Sequence, residues 1–183
     1  MSYSLLAKRL RLPLGFILSG AFLVLARPQA GALALGGGIA LVGVLVRAWA
    51  SGHIMKNDRL ATTGPYAHTR NPLYFGSFLI SAGFALAAHW SLLLLVAGFF
   101  ALIYVPTMER ERANIAGRFP EAYAAYAANV PMFVPRLTPW RGADGASAGS
   151  FSSALYMKHG EWKAALGYLA ALLVLALKLR YAA

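Results

Sequence analysis

Between Asn71 and Met108 the chain runs 38 residues without a charged side chain. As one helix that stretch would be about 57 Å long. A bilayer's hydrocarbon core is only roughly 30 Å thick, so the stretch must fold back on itself. The polar triplet His89-Trp90-Ser91 lies mid-way. The spacing therefore predicts a tight helical hairpin with arms at 72–88 and 91–107. Composition agrees with a membrane setting. Apolar residues make up 59% of the 183 residues and charged ones 13%, against roughly 25% charged in a soluble domain. The length suits one domain.

Other charge-poor stretches supply further spans at 12–27, 29–50 and 163–181. The first is short, and snorkelling Arg11 and Arg27 would extend it. The second holds Gly36-Gly37-Gly38, poor helix in water but suited to close helix packing in lipid. The expected fold is all-α: a polytopic membrane helix bundle of about five transmembrane helices. A basic start before an apolar stretch is also the pattern of a signal peptide. No clean A-x-A-type site follows and more apolar segments come later, so the segment reads as a retained anchor.

Charge placement gives the orientation. With the N-terminus in the cytoplasm, 14 of the 17 lysines and arginines fall inside. Only Arg27, Lys178 and Arg180 fall outside, as the positive-inside rule demands. The net charge of +11 then reflects topology, and no nucleic-acid partner is expected. There is no cysteine, which excludes disulfides, thiol chemistry and Cys-ligated metals. No metal site is expected.

Residues 108–140 form the largest cytoplasmic segment. Gly117 suits a helix stop, and Pro120 with Glu121 suits the first turn of a new helix. Phe119, Tyr123 and Tyr126 recur at i, i+4 and i+7 and share one face. "NVPMFVPRLTP" breaks helix repeatedly, and 141–160 has linker composition. No internal repeat is present.

The octet "TRNPLYFG" at 69–76 stands at the edge of the long apolar run. Its plain structural roles are an interfacial anchor for Arg70, a cap for Asn71 and a first-turn proline for Pro72. Those roles leave "GPYAHTRNPLYFG" as a whole unaccounted for. A helix starting at Pro72 presents free N–H groups and a positive dipole end, and Arg70 adds a charge beside them. Together they suit an anionic group such as a carboxylate. Glu111 across the loop suits an amine or a ribose hydroxyl pair. A site with both signs fits a zwitterionic ligand. The residues alone leave the structural and the functional reading open.

"GPY…TRNPLYFG", an apolar hairpin, and then "E-R-x-x-I-x-x-x-F-P-x-x-Y-x-x-Y…VP" together resemble the isoprenylcysteine carboxyl methyltransferase and phospholipid methyltransferase superfamily. The similarity covers about Arg47 to Pro135. It implies an S-adenosylmethionine (SAM)-dependent methyltransferase embedded in the membrane, with a cytoplasmic cofactor-binding loop and a lipophilic acceptor arriving from the bilayer. Arg70, Pro72, Tyr74 and Gly76 match the first motif, with Tyr66 just upstream. Asn71 replaces a histidine, and asparagine cannot carry a proton-transfer charge. Glu111 matches the first of two glutamates and Arg112 replaces the second. Pro120 replaces a glycine, and Tyr123 and Tyr126 match aromatic positions. The resemblance thus implies Arg70 and Glu111 as catalytic. It implies Tyr66, Arg70, Asn71, Pro72, Tyr74, Gly76, Glu111, Tyr123 and Tyr126 as cofactor-binding.

Methyl transfer needs an acceptor lone pair aligned with the activated methyl, and water excluded. A carboxylate acceptor needs no base; an amine must first lose a proton. Arg47, at the end of the second span, would hold an anionic acceptor or simply snorkel. Asp58, His53 and His68 read as structural, and His89 and Trp90 as interfacial. The expected location is a bacterial inner membrane with N-terminus and active site cytoplasmic. The last span could cover a lipid entrance or form a homodimer contact. Two other readings are an NADPH-dependent membrane reductase of related architecture and a non-enzymatic membrane scaffold. Among acceptors, an isoprenylcysteine-like carboxylate, a phospholipid amine and a small thiol stay open.

Overall fold

The computed structural model describes residues 3–54, 59–142 and 149–181, and among them the regular structure is helical throughout, with no strand. Helix α1 spans Tyr3–Leu25, α2 Ala30–Ser51, α3 Pro72–Ala88, α4 Leu92–Phe99, α5 Val105–Arg118, α6 Pro120–Asn129, α7 Ser153–His159 and α8 Trp162–Tyr181. A 3₁₀ turn at Gly64–Ala67 precedes α3. A π turn at Phe100–Tyr104 joins α4 to α5.

The hairpin forms where the polar triplet predicts it. Pro72 opens α3, since its missing N–H costs nothing in a first turn. His89 ends α3 in an extended conformation and Leu92 begins α4. The second arm does not stop at 107. From Leu92 to Arg118 the backbone is one 27-residue helix, so it carries straight into the segment expected outside the membrane. Gly117 does not end it. The break comes at Phe119 (φ −132°, ψ 60°), and Pro120 starts α6.

The expectation of five crossings narrows. Among the described residues, three helices are long and apolar enough to cross a membrane: Ala30–Ser51, Leu92–Arg118 and Trp162–Tyr181. Pro72–Ala88 is apolar but has only 17 residues, about 26 Å of helix. Helix α1 begins well before residue 12, and the three charged residues Lys8, Arg9 and Arg11 in its first half keep it out of that set.

Helices α2 and α3 pack along a glycine seam. A Cβ at Gly36 would strike the Gly83 carbonyl, and one at Gly83 the Gly36 carbonyl. Two turns along, Gly43 and Gly76 block each other in the same way. The two backbones therefore run antiparallel in direct contact, the closest approach that lipid-embedded helices use. Of the glycine triplet, Gly36 lies in this seam, Gly37 faces Leu172 of α8, and Gly38 faces open space. At the far end Phe84, Ala87, Leu33, Ala40, Ala26 and Leu175 form one core.

Helix α8 lies on α2 and α1. The Tyr168 hydroxyl donates to the Gly37 carbonyl at 3.2 Å. Lys178 Nζ donates to the Leu23 and Val24 carbonyls at 2.8 and 2.6 Å, serving two of the carbonyls a helix end leaves without partners. Part of the expected linker 141–160 is ordered helix. The Ser152 hydroxyl accepts from the Leu155 amide at 3.3 Å, and Gly160 ends α7 at φ +67°. The Phe151 ring fills the space beside Gly52, whose carbonyl accepts from the Ser152 amide at 3.0 Å.

Candidate functional site

The proline-broken segment 130–140 cannot form a helix, so its carbonyls are free to accept from the stretch before α3. The Arg70 amide donates to the Pro131 carbonyl at 2.9 Å. The Thr69 hydroxyl donates to the Phe133 carbonyl at 2.9 Å. The amides of Arg136 and Trp140 donate to the carbonyls of His68 and Ala67, both at 2.9 Å. The Tyr126 hydroxyl donates to the Tyr66 carbonyl at 2.7 Å. This lacing fixes Arg70 at the mouth of α3. Asn71 joins it rather than capping the helix: its amide nitrogen donates to the Met132 carbonyl at 2.9 Å, and no side-chain cap forms.

A cleft of about 210 Å³ opens between this loop, α5 and α6. Tyr66, Arg70, Asn71, Met108, Arg112, Ile115, Tyr123 and Tyr126 stand in its wall. Met108, Arg112 and Ile115 share one face of α5 by helical spacing. Arg59 and Arg118 complete a wall with four arginines and, among the described residues, no acid. Arg112 also pairs with Glu109 at 2.7 Å in an exposed contact. Arg70 Nη1 donates to the Tyr123 hydroxyl at 3.0 Å, while its Nε is shut off from solvent without a partner. Asp58 lies outside the described residues.

Tyr66 is 6% exposed. Burial foremost, and then the Glu161 charge, raises its hydroxyl above the ordinary tyrosine range; Glu111 and Tyr74 add to this and Arg47 opposes it. Burial likewise raises Tyr126. Both stay protonated, and the Tyr126 hydroxyl is a donor. His68 and His53 are structural: His68 Nδ1 meets the Arg136 carbonyl at 2.8 Å and His53 Nδ1 the Thr63 hydroxyl at 3.1 Å.

The other expected site residues sit elsewhere. Glu111 and Tyr74 are not in the cleft wall. The Tyr74 hydroxyl donates to Glu111 Oε1 at 2.8 Å and accepts from Arg11 Nη1. Arg70 and Glu111 thus lie at one end of the bundle without converging on the same wall. Pro72 is fully buried, and Gly76 belongs to the α2–α3 seam. Arg47 is already occupied. Its Nη2 contacts both Glu161 oxygens at 2.8 Å, its Nε donates to Oε2 at 3.0 Å, and its Nη1 donates to Ser77 Oγ at 2.6 Å and the Leu73 carbonyl at 3.2 Å. Sequence reasoning missed Arg11 and Glu161. Glu161 carried a signal, being one of six acids in the chain and adjoining an apolar helix.

The donor set fits one end of SAM. Arg70, with its unpartnered Nε, suits a carboxylate, and the tyrosine and Phe119 rings give flat surfaces for a heterocycle. No described wall residue is an acid that would hold the ammonium.

Fold and site together define a helical membrane protein with a basic, tyrosine-lined cleft at one end of its bundle. Within that class, residues 31–121 match the model of the phospholipid methyltransferase family, and the chain belongs to that family. It is 38% identical over 111 residues to the cobalt-zinc-cadmium resistance protein CzcN of Cupriavidus metallidurans, covering 59% of this chain and 50% of that protein. It is 36% identical over 110 residues to the nickel-cobalt-cadmium resistance protein NccN of Alcaligenes xylosoxydans xylosoxydans, covering 58% and 50%. The chain spans about half the length of these curated relatives. No solved structure matches.

Proposed function

We propose that the chain is a SAM-dependent methyltransferase that modifies a lipophilic acceptor at the cytoplasmic face of a bacterial inner membrane. One observation carries the reading: Arg70, locked by the Pro131 carbonyl and Tyr123, keeps a sealed and unpartnered Nε beside the cleft of a chain in a methyltransferase family. When bound, SAM supplies an already activated methyl group. Arg70 and Asn71 would hold its carboxylate, and Tyr66, Tyr123 and Tyr126 would line the rest. Tyr66, protonated and buried, would donate a hydrogen bond to the ligand. Glu111 acts from the flank, where its charge reaches Tyr66. It would take the proton of an amine acceptor; a carboxylate acceptor needs no such step. The arginine wall favours an acceptor that brings an anionic group.

The relatives' names concern metal resistance. The reading of methyl transfer rests on the family match over residues 31–121. Calorimetry on purified protein tests it. SAM should bind, and Arg70→Ala should weaken binding about tenfold or more, as loss of a charged hydrogen bond does. A labelled-methyl assay on lipid extracts and a prenylcysteine analogue then identifies the acceptor. Four wall arginines also suit a phosphate-rich nicotinamide dinucleotide. Thermal protection by NADPH and not by SAM would favour a reductase instead.

A further inference from the structure

Glu111 is held by a residue outside the family-matched segment. Arg11 belongs to α1. Its guanidinium carbon lies 5.4 Å from the centre of the Tyr74 ring and 6.0 Å from that of Tyr104. Tyr104 stands edge-on to Tyr74 at 5.3 Å. Between Arg11 and Glu111 there is one atom, the Tyr74 hydroxyl oxygen.

The direction of both hydrogen bonds follows from chemistry. A guanidinium only donates, so Tyr74 must accept from Arg11 with a lone pair. Its own proton then points to Glu111 Oε1. The carboxylate receives an oriented donor, and the cation that orients it lies one hydroxyl away. A half-buried arginine among apolar residues is costly without such a partner.

We propose that Arg11 is a positioning residue for Glu111, acting through Tyr74. Its consequence for ligand rests on the methyltransferase reading; the coupling itself does not. Removing the cation frees the tyrosine to turn away, and the carboxylate loses its fixed orientation. Removing the hydroxyl breaks both bonds at once. Lysine at position 11 keeps a donating cation and restores part of the arrangement.

The test uses full-length protein in detergent micelles: wild type, Arg11→Met, Arg11→Lys, Tyr74→Phe and the double variant Arg11→Met/Tyr74→Phe. Methyl transfer to membrane lipid extract is read with labelled SAM, SAM affinity is read by calorimetry, and thermal unfolding is read without ligand. Arg11→Met should slow methyl transfer about tenfold, the scale of a lost charged hydrogen bond. Arg11→Lys should recover part of it, and the double variant should be no worse than Tyr74→Phe alone, the mark of coupled residues. Methyl transfer by Arg11→Met within twofold of wild type would overturn the proposal, as would losses that multiply independently. If wild type binds no SAM, the methyltransferase reading fails and the unfolding cycle decides this one. Shared losses in the unliganded protein uphold the coupling, and additive ones end it.

Discussion

Arg47 and Arg70 occupy the same end of the bundle, but their donors fare differently. Every nitrogen of Arg47 has a partner on Glu161, Ser77 or Leu73, so it is a tie between helices rather than a hand held out to an acceptor. Arg70 keeps an unmet donor, as does Arg110, and a buried donor without a partner is a group that calls for an explanation. His53 gives a different residue-scale expectation. Burial lowers its pKa below the ordinary histidine value of about 6.5. The unfolded chain therefore takes up the proton first. This contribution to stability is whole above about pH 6.5 and falls as pH drops toward the folded value. Thermal midpoints measured from pH 7.5 to 5.5 should fall more in wild type than in His53→Gln. Arg70 was legible because it borders a long uncharged run. The partnership of Arg47 was not, since Glu161 lies 114 residues away and no local pattern encodes such a pairing.

At the scale of elements, the α2–α3 seam carries the hairpin and sets where α3 begins. Gly83→Val would drive a branched side chain into the Gly36 carbonyl and Ala40. Overpacking of this kind costs about 1–3 kcal/mol, so thermal unfolding in micelles should show a clearly lowered midpoint. Gly98→Ala, which faces open space, should leave it unchanged. The hairpin could be read from the chain because a proline, a polar triplet and the bilayer's thickness all constrain it. Helix α7 could not. Its residues look like linker, and the segment is secured by Phe151 against Gly52, a contact made only after folding. Gly117 misled for the opposite reason: glycine tolerates a helix interior, and it has no partner there that would force a stop.

Across the whole molecule, the family-matched residues 31–121 take in α2 through α5, and both flanking parts close onto them. Arg11 enters from one side and Glu161 from the other, while Lys178 joins α8 to the end of α1. Glu161→Ala should therefore reach far. It leaves Arg47 half-buried without its carboxylate, at a cost of about 1–3 kcal/mol. The exposed pair of Arg112 and Glu109 should contribute under about 1 kcal/mol. Comparing the unfolding of Glu161→Ala with that of Glu109→Ala checks the contrast.

The π turn from Phe100 to Tyr104 has a geometric consequence for the 27-residue helix that contains it. A π turn holds one residue more than regular winding allows, and one residue is about 100° of rotation. The rod is in effect a crankshaft, its two halves set on different bearings. The upper half lays Phe100 against Phe78, and the lower half aims Met108 at the cleft while Glu111 meets Tyr74. Shortening the crank by one residue would cost a single side chain and misdirect all of those below it.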